Sequence, residues 1–208
     1  MPVLLHIDAS PREDSRSRRV GEALVARRLA DRADLRLVRL DLWAADLPHM
    51  DGATLAAKYA RLAGKPHDKA EARAWSVIEA LVADLDAAAE VVISTPMWNF
   101  SIPYRLKHYI DLVTQPGLSF SFDPASGYSP RLAERPVHVV LASAGDYRFG
   151  PSRGRPDLAT PYLREALAFI GLSDVTFTPV GPTIGAPNEV AAGLARALDQ
   201  VAALEPQS

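Results

Sequence analysis

The chain has 208 residues, 48% of them hydrophobic, which is enough for one sizeable core and too much for a disordered or fibrous chain. Lys and Arg number 23 against 25 Asp and Glu, a net charge of -2, so no basic surplus points to nucleic acid or an anionic membrane. With no cysteine, the sequence excludes disulfides, thiolate metal sites, iron–sulfur clusters and cysteine nucleophiles together.

Val3 to Ile7 reads as a buried strand, entered directly without the basic segment and long apolar stretch of a secretory leader. No apolar run reaches the roughly 18 residues of a membrane span, so the expectation is one cytoplasmic domain over residues 1–208. A turn-rich stretch from Asp8 to Ser17 follows, then a helical pattern over Arg18 to Asp31 with Val20, Leu24, Val25 and Leu29 on one stripe. Leu35 to Leu42 alternates as a second strand. Trp43 to Pro66, broken by Pro48, Gly52 and Gly64, reads as a surface excursion around a short helix. Lys69 to Ala88 is the longest helical pattern, Glu90 to Ser94 a compact third strand, and Pro103 to Val113 another helix. Between Thr114 and Arg135, Pro and Gly punctuate the pair Phe120 and Phe122, which suggests a hairpin or ordered loop. Pro136 to Ala142 gives a fourth strand, Pro161 to Ile170 a helix stopped by Gly171, Val175 to Val180 a fifth strand, and Glu189 to Leu204 a closing amphipathic helix.

Strands alternating with helices predict a doubly wound five-stranded parallel α/β sheet with helices on both faces. Such sheets bind ligands beyond the carboxyl ends of the strands, at the switch point of the topology. Three unusual loops follow strands one, three and four. In the first, Ser10, Ser15, Arg16 and Ser17 lead into a helix, where hydroxyls, backbone amides and the helix dipole can cradle a phosphate. It contains no Gly, so it is neither a Walker loop nor a dinucleotide fingerprint, and an ordinary helix cap is the competing reading. Arg16, Arg18 and Arg19 could assist or merely form a solvated face. In the second loop, Pro96, Met97, Trp98, Asn99 and Phe100 combine a fixed backbone with large apolar groups, suited to a flat heteroaromatic ligand or to plugging the end of the sheet. In the third, Ser143, Ala144, Gly145 and Asp146 offer a hydroxyl and close backbone approach, or a plain connector. The cations are mostly Arg and Ala is abundant, a bias that weakens any argument from an Arg or Ala cluster alone. The histidines, with His6 and His138 in strand patterns and His49, His67 and His108 scattered, form no metal-ligand spacing.

Pro96-Met97-Trp98-Asn99-Phe100 with Ile102-Pro103 and Leu106-Lys107, then Tyr109-Ile110-Asp111, Gly117-Leu118-Ser119-Phe120, Thr160-Pro161-Tyr162-Leu163 and Phe169-Ile170-Gly171-Leu172, carry a resemblance over nearly the whole chain. The chain resembles the FMN-dependent NADH:quinone oxidoreductases, or FMN-dependent azoreductases, which have a flavodoxin-like fold. The resemblance implies FMN, one per subunit, with NADH or NADPH as donor and quinones, azo or nitro aromatics as acceptors. It places the FMN phosphate on Ser10 and Ser15-Arg16-Ser17, and the isoalloxazine ring between Pro96 to Phe100 and Ser143 to Asp146. It implies ping-pong kinetics, no catalytic side chain, and a homodimer with flavins at the subunit interface. Two departures stand out: Trp98 replaces a common Tyr, and Ala144 and Asp146 replace an Arg and a Gly. A carboxylate at Asp146 near the flavin would lower its reduction potential. Arg148, Arg153 and Arg155 could meet a dinucleotide phosphate, with solvent exposure the simpler reading of each. The competing classes are a flavodoxin-like electron carrier for protein partners, which is usually more acidic, and a flavin-free binding domain on the same fold.

Overall fold

A computed structural model describes residues 1–62, 65 and 69–204. The elements run β1 (Val3–Asp8), α1 (Arg16–Asp31), β2 (Arg36–Asp41), α2 (Gly52–Leu62), α3 (Lys69–Ala87), β3 (Ala88–Pro96), α4 (Tyr104–Val113), β4 (Phe120–Asp123), β5 (Gly127–Pro130), β6 (Val137–Ala142), α5 (Ala159–Ile170), β7 (Val175–Val180) and α6 (Pro187–Ala202). β2, β1, β3, β6 and β7, in that order, form one five-stranded sheet, parallel throughout, while β4 and β5 pair antiparallel as a separate hairpin. The order turns back on itself at β1, which has β2 on one side and β3 on the other; that is the switch point where a crevice opens.

The strands read as unbroken apolar runs because both faces of the sheet are covered. Consecutive residues point to opposite faces, so Leu5, Val91, Ile93 and Val139 pack with α3, α4 and α5 residues such as Ile78, Leu106 and Leu163. Leu4, Val92 and Val140 pack on the other side with Val20 and Leu24 of α1 and Ala197 and Val201 of α6. Each of these side chains is at most 2% exposed, and full burial of a Val, Leu or Ile among them contributes about 1.5–3 kcal/mol. α1 lies tight against the sheet at Gly21, where a Cβ would collide with Ser94 Oγ. Ser94 in turn is bonded to the buried His6 at 2.8 Å.

The elements expected from the sequence are present, with shifted ends. α1 starts at Arg16 because Ser15 Oγ accepts the Arg18 amide at 3.2 Å. α5 starts at Ala159, where the Asp157 carboxylate takes the Ala159 and Thr160 amides at 2.9 Å each. β3 begins at Ala88, directly after α3, and runs to Pro96. The excursion after β2 holds α2, its first turn capped by Asp51 through the Thr54 amide at 2.9 Å. Gly64 and Pro66, which close that excursion, and His67 lie outside the described residues. The aromatic stretch after α4 is indeed a hairpin, with Asp123 Oδ1 holding the amides of Ala125 and Ser126 in its turn. Among the described residues no helix is long and apolar enough to cross a membrane.

Candidate cofactor-binding site

The loops after β1, β3, β6 and β7 meet at the carboxyl edge of the sheet around a cleft of about 240 Å³. Ser10, Ser15, Arg16, Ser17, Pro96, Met97, Trp98 and Ala144 all line it.

The first wall is the serine loop. Ser10, Ser15 and Ser17 are buried at 7% exposure or less, and Ser15 Oγ lies 2.9 Å from Ser17 Oγ at the N-terminus of α1. The first turn of α1 contains no acidic residue, so the positive end of its dipole is left for an external anion. The loop is held open from behind: the Asp8 carboxylate accepts the Ser10 amide at 3.0 Å and pairs with the Arg18 guanidinium. Arg18 also donates to the Ser10 carbonyl at 2.8 Å and the Arg12 carbonyl at 3.1 Å. Arg18 is thus a strut of the loop rather than part of a solvated face. At the mouth, Arg12 pairs with Asp14 at 2.8 Å, and that hydrogen bond pulls the Asp14 carboxyl below its ordinary pKa.

The second wall follows β3. The Met97 amide extends the β3–β6 ladder to the Ala142 carbonyl at 2.7 Å, and the chain then turns back sharply. Trp98 and Ser101 exchange hydrogen bonds of 2.8 and 2.9 Å around Asn99 and Phe100, at φ 47° and 72°. Two consecutive positive φ values define a type I′ turn, a shape that favours Asn-Gly and strains Phe. Neither the Asn99 nor the Phe100 amide donates to another backbone group among the described residues. Both residues are exposed, and neither lines the cleft, whose wall on this side stops at Trp98. Behind Trp98 stand Trp43 and Tyr104, with ring centroids 5.8 and 6.4 Å from it. Trp43 Nε1 donates to the Ala9 carbonyl at 3.0 Å, which locks this aromatic group onto the serine loop.

The third wall is the loop after β6. Ser143 Oγ donates to the Gly145 carbonyl at 2.8 Å, and the Ser143 carbonyl accepts the Thr183 amide at 2.9 Å. Thr183 and Ile184 from the loop after β7 thereby complete the cleft, a contribution that the Gly-Pro sequence before them did not signal. Gly145 and Asp146 face an adjoining groove instead. The Asp146 carboxylate is held by Arg148 through contacts of 2.9 and 2.6 Å, which keep it below the usual carboxylate range and offset its charge. Three histidines are tied into the fold: His6 bonds Ser94, His138 bonds Thr178 at 2.8 Å, and His108 bonds the Pro48 carbonyl at 2.8 Å.

This lining suits a ligand with an anionic tail and a flat head: hydroxyls and a helix N-terminus on one side, the apolar and aromatic wall of Met97 and Trp98 on the other. The FMN that the sequence resemblance implies has that shape.

Residues 3–204 match the profile of a family described by its flavodoxin-like fold. An FMN-dependent NADH:quinone oxidoreductase 1 from Bradyrhizobium diazoefficiens is 46% identical over 192 residues, covering 92% of each chain. A protein of the same name, numbered 3, from Pseudomonas fluorescens is 40% identical over 96% of this chain and 97% of its own. Among solved structures, an azoreductase from Bacillus anthracis superposes with a TM-score of 0.87 at 24% identity, over 97% of each chain. A second, an FMN-dependent NADH-azoreductase from that organism in complex with FMN, gives 0.83 at 20% identity, over 97% of this chain and 98% of its own. At those identities the likeness is one of fold. Taken with the sequence relatives, it shows that the chain belongs to the flavodoxin-like family of FMN-dependent NADH:quinone oxidoreductases.

Proposed function

We propose that residues 1–208 form one FMN-binding domain of a cytoplasmic, homodimeric oxidoreductase that moves two electrons from NADH or NADPH to quinones and, permissively, to azo and nitro aromatics. The observation that carries this reading is the cleft at the switch point, where buried serines and a helix N-terminus with no acid in its first turn line one cavity with Pro96, Met97 and Trp98. The names of the relatives, oxidoreductases and azoreductases that depend on FMN, support it.

When bound, FMN supplies the reversible two-electron chemistry between donor and acceptor. The chain binds and orients. Ser10, Ser15, Arg16 and Ser17 take the phosphate, aided by the α1 dipole. Pro96, Met97 and Trp98 would border the flat ring, with the turn of Asn99 and Phe100 beyond them, and Ala144 would border its opposite edge, with Ser143, Gly145 and Asp146 shaping that loop from behind. Trp43, Trp98 and Tyr104 keep water from one side and give an aromatic acceptor a surface to stack on. No side chain at the site is arranged as a nucleophile with its base, and none is needed. The dimer is supported by an exposed aromatic cluster on the hairpin and α5, with Phe122, Tyr128 and Phe169 at 58%, 63% and 37% exposure.

Because donor ring and acceptor use one cleft in turn, initial rates of the FMN-loaded protein with NADH and a quinone give parallel double-reciprocal lines. Converging lines would refute the shared cleft, and absence of turnover with either dinucleotide would refute the oxidoreductase.

A further inference from the structure

Ala144 and Ile184 line both the cleft and a larger groove of about 820 Å³ beside it, between residues 151–155 and residues 188–196 of α6. The groove carries Arg153, Arg155 and Arg196. Nearby arginines are committed to carboxylates, Arg12 to Asp14, Arg18 to Asp8 and Arg148 to Asp146. Arg153, Arg155 and Arg196 form no ion pair among the described residues, although Arg196 is near enough to help lower the Asp146 pKa. The carboxylates on the groove are Asp146, already held by Arg148, and Glu189, so cationic charge is in surplus.

The arginines are also placed. Ser152 and Arg155 exchange backbone hydrogen bonds of 3.1 Å around Arg153 and Gly154, at φ 52° and 77°. Arg155 Nε donates to the Ser152 carbonyl and Arg196 Nη2 to the Gly181 carbonyl, each at 3.3 Å. This turn is packed onto the cleft's own loop, since a Cβ on Gly145 would collide with Ser152 Oγ and one on Gly181 with the Gly145 carbonyl. A Cβ on Gly193 of α6 would come within 2.5 Å of the Gly181 carbonyl. Bare glycines therefore let the arginine turn, both loops and α6 close into one groove.

We propose that this groove receives the phosphate-bearing adenosine half of the nicotinamide dinucleotide, with Arg153, Arg155 and Arg196 on its phosphates while the nicotinamide reaches the cleft. The inference rests on the reading of the cleft as a flavin site served by NADH or NADPH. Of the reactants in that reading, only the donor carries both a group that must enter the cleft and phosphates remote from it; quinones and azo compounds carry none.

The test uses the FMN-loaded protein, the double variant Arg153→Ala/Arg155→Ala, whose residues are exposed, and separately Arg196→Ala. Calorimetry measures ADP-ribose binding, and initial rates compare NADH with a dihydronicotinamide that lacks the ADP half. The expected result is a KM for NADH and a Kd for ADP-ribose raised about tenfold or more in the double variant, the scale of two charge-assisted hydrogen bonds weakened by solvent. The KM for the truncated donor stays within about twofold, since that donor forgoes the phosphate contacts. Unchanged ADP-ribose binding, no binding to the parent protein, or an equal loss with the truncated donor would overturn the assignment. Competition by inorganic phosphate as strong as by ADP-ribose would reduce the groove to a simple anion site and overturn it too. Failure of the parent to bind FMN would defeat the reading of the cleft instead, and ADP-ribose titration of the flavin-free protein would still decide the groove.

Discussion

Phe100→Gly separates a packing role for the loop after β3 from a role in the site. Phe100 is held at φ 72°, and a left-handed backbone costs a side chain of this kind about 1–2 kcal/mol. The ring remains 42% exposed, so its burial contributes roughly 1–1.5 kcal/mol, about half of a fully buried aromatic. Glycine would relieve the strain and create Asn-Gly, the pair a type I′ turn favours, while adding about 0.5–1 kcal/mol of unfolded-state entropy. The opposing contributions nearly cancel, so the unfolding free energy should stay within about 1 kcal/mol of the parent. Urea unfolding of the flavin-free protein measures this, and initial rates measure the KM for a quinone, which should rise about fivefold with the loss of an aromatic contact. A stability loss of about 3 kcal/mol, the scale of truncating a buried Phe, would show that Phe100 plugs the end of the sheet and would refute the reasoning.

Arg18→Leu strands the Asp8 carboxylate and two loop carbonyls; thermal unfolding should show a loss of about 2–4 kcal/mol and FMN titration a weaker site. Arg18→Lys should restore little of either, since an ammonium cannot span all three acceptors. Burial lowers the His138 pKa from 6.5 to about 4, so as pH falls the unfolded chain takes up its proton first. Its contribution to stability is therefore full above about pH 6.5 and declines toward pH 4 by about 3 kcal/mol, and His138→Gln should flatten that slope in urea melts. Because Arg148 offsets Asp146, Asp146→Asn should leave the flavin midpoint potential near that of the parent, whereas Arg148→Ala should lower it. A large upward shift in Asp146→Asn would mean that the carboxylate acts unscreened.

The strands and helices were legible because a sheet covered on both faces demands unbroken apolar runs, as in Val137 to Leu141, flanked by 3.6-residue stripes. The join of α3 and β3 was less legible, since Ala87 to Ala89 carries no punctuation and Glu90, a charge that reads as exposed, is 4% exposed beside Arg28 and Arg32. The three loops of the cleft announced themselves through residues that connectors rarely carry: serines at a helix start, a Trp and Phe between prolines, and a glycine after a buried strand. The pair of Asp8 and Arg18 did not, because its members stand ten residues apart in an arginine-rich chain and only the fold brings them together. Nor did Thr183 and Ile184, whose place depends on Gly145, Gly181 and Gly193 lying against one another. In the arginine groove Arg153 and Arg155 were candidates from the sequence, but Arg196 was not, since it lies about forty residues further on in a helix that only the fold brings to their turn.

An anaerobic titration of the FMN-loaded protein with NADH or NADPH, followed through the visible flavin band, tests the proposed function most directly. Complete bleaching by stoichiometric dinucleotide, and full recovery of the band on adding a stoichiometric quinone, is the predicted result. Tight FMN binding with a band that neither dinucleotide bleaches would contradict it and point to an electron carrier, and a chain that binds no FMN would contradict the assignment of the cleft itself.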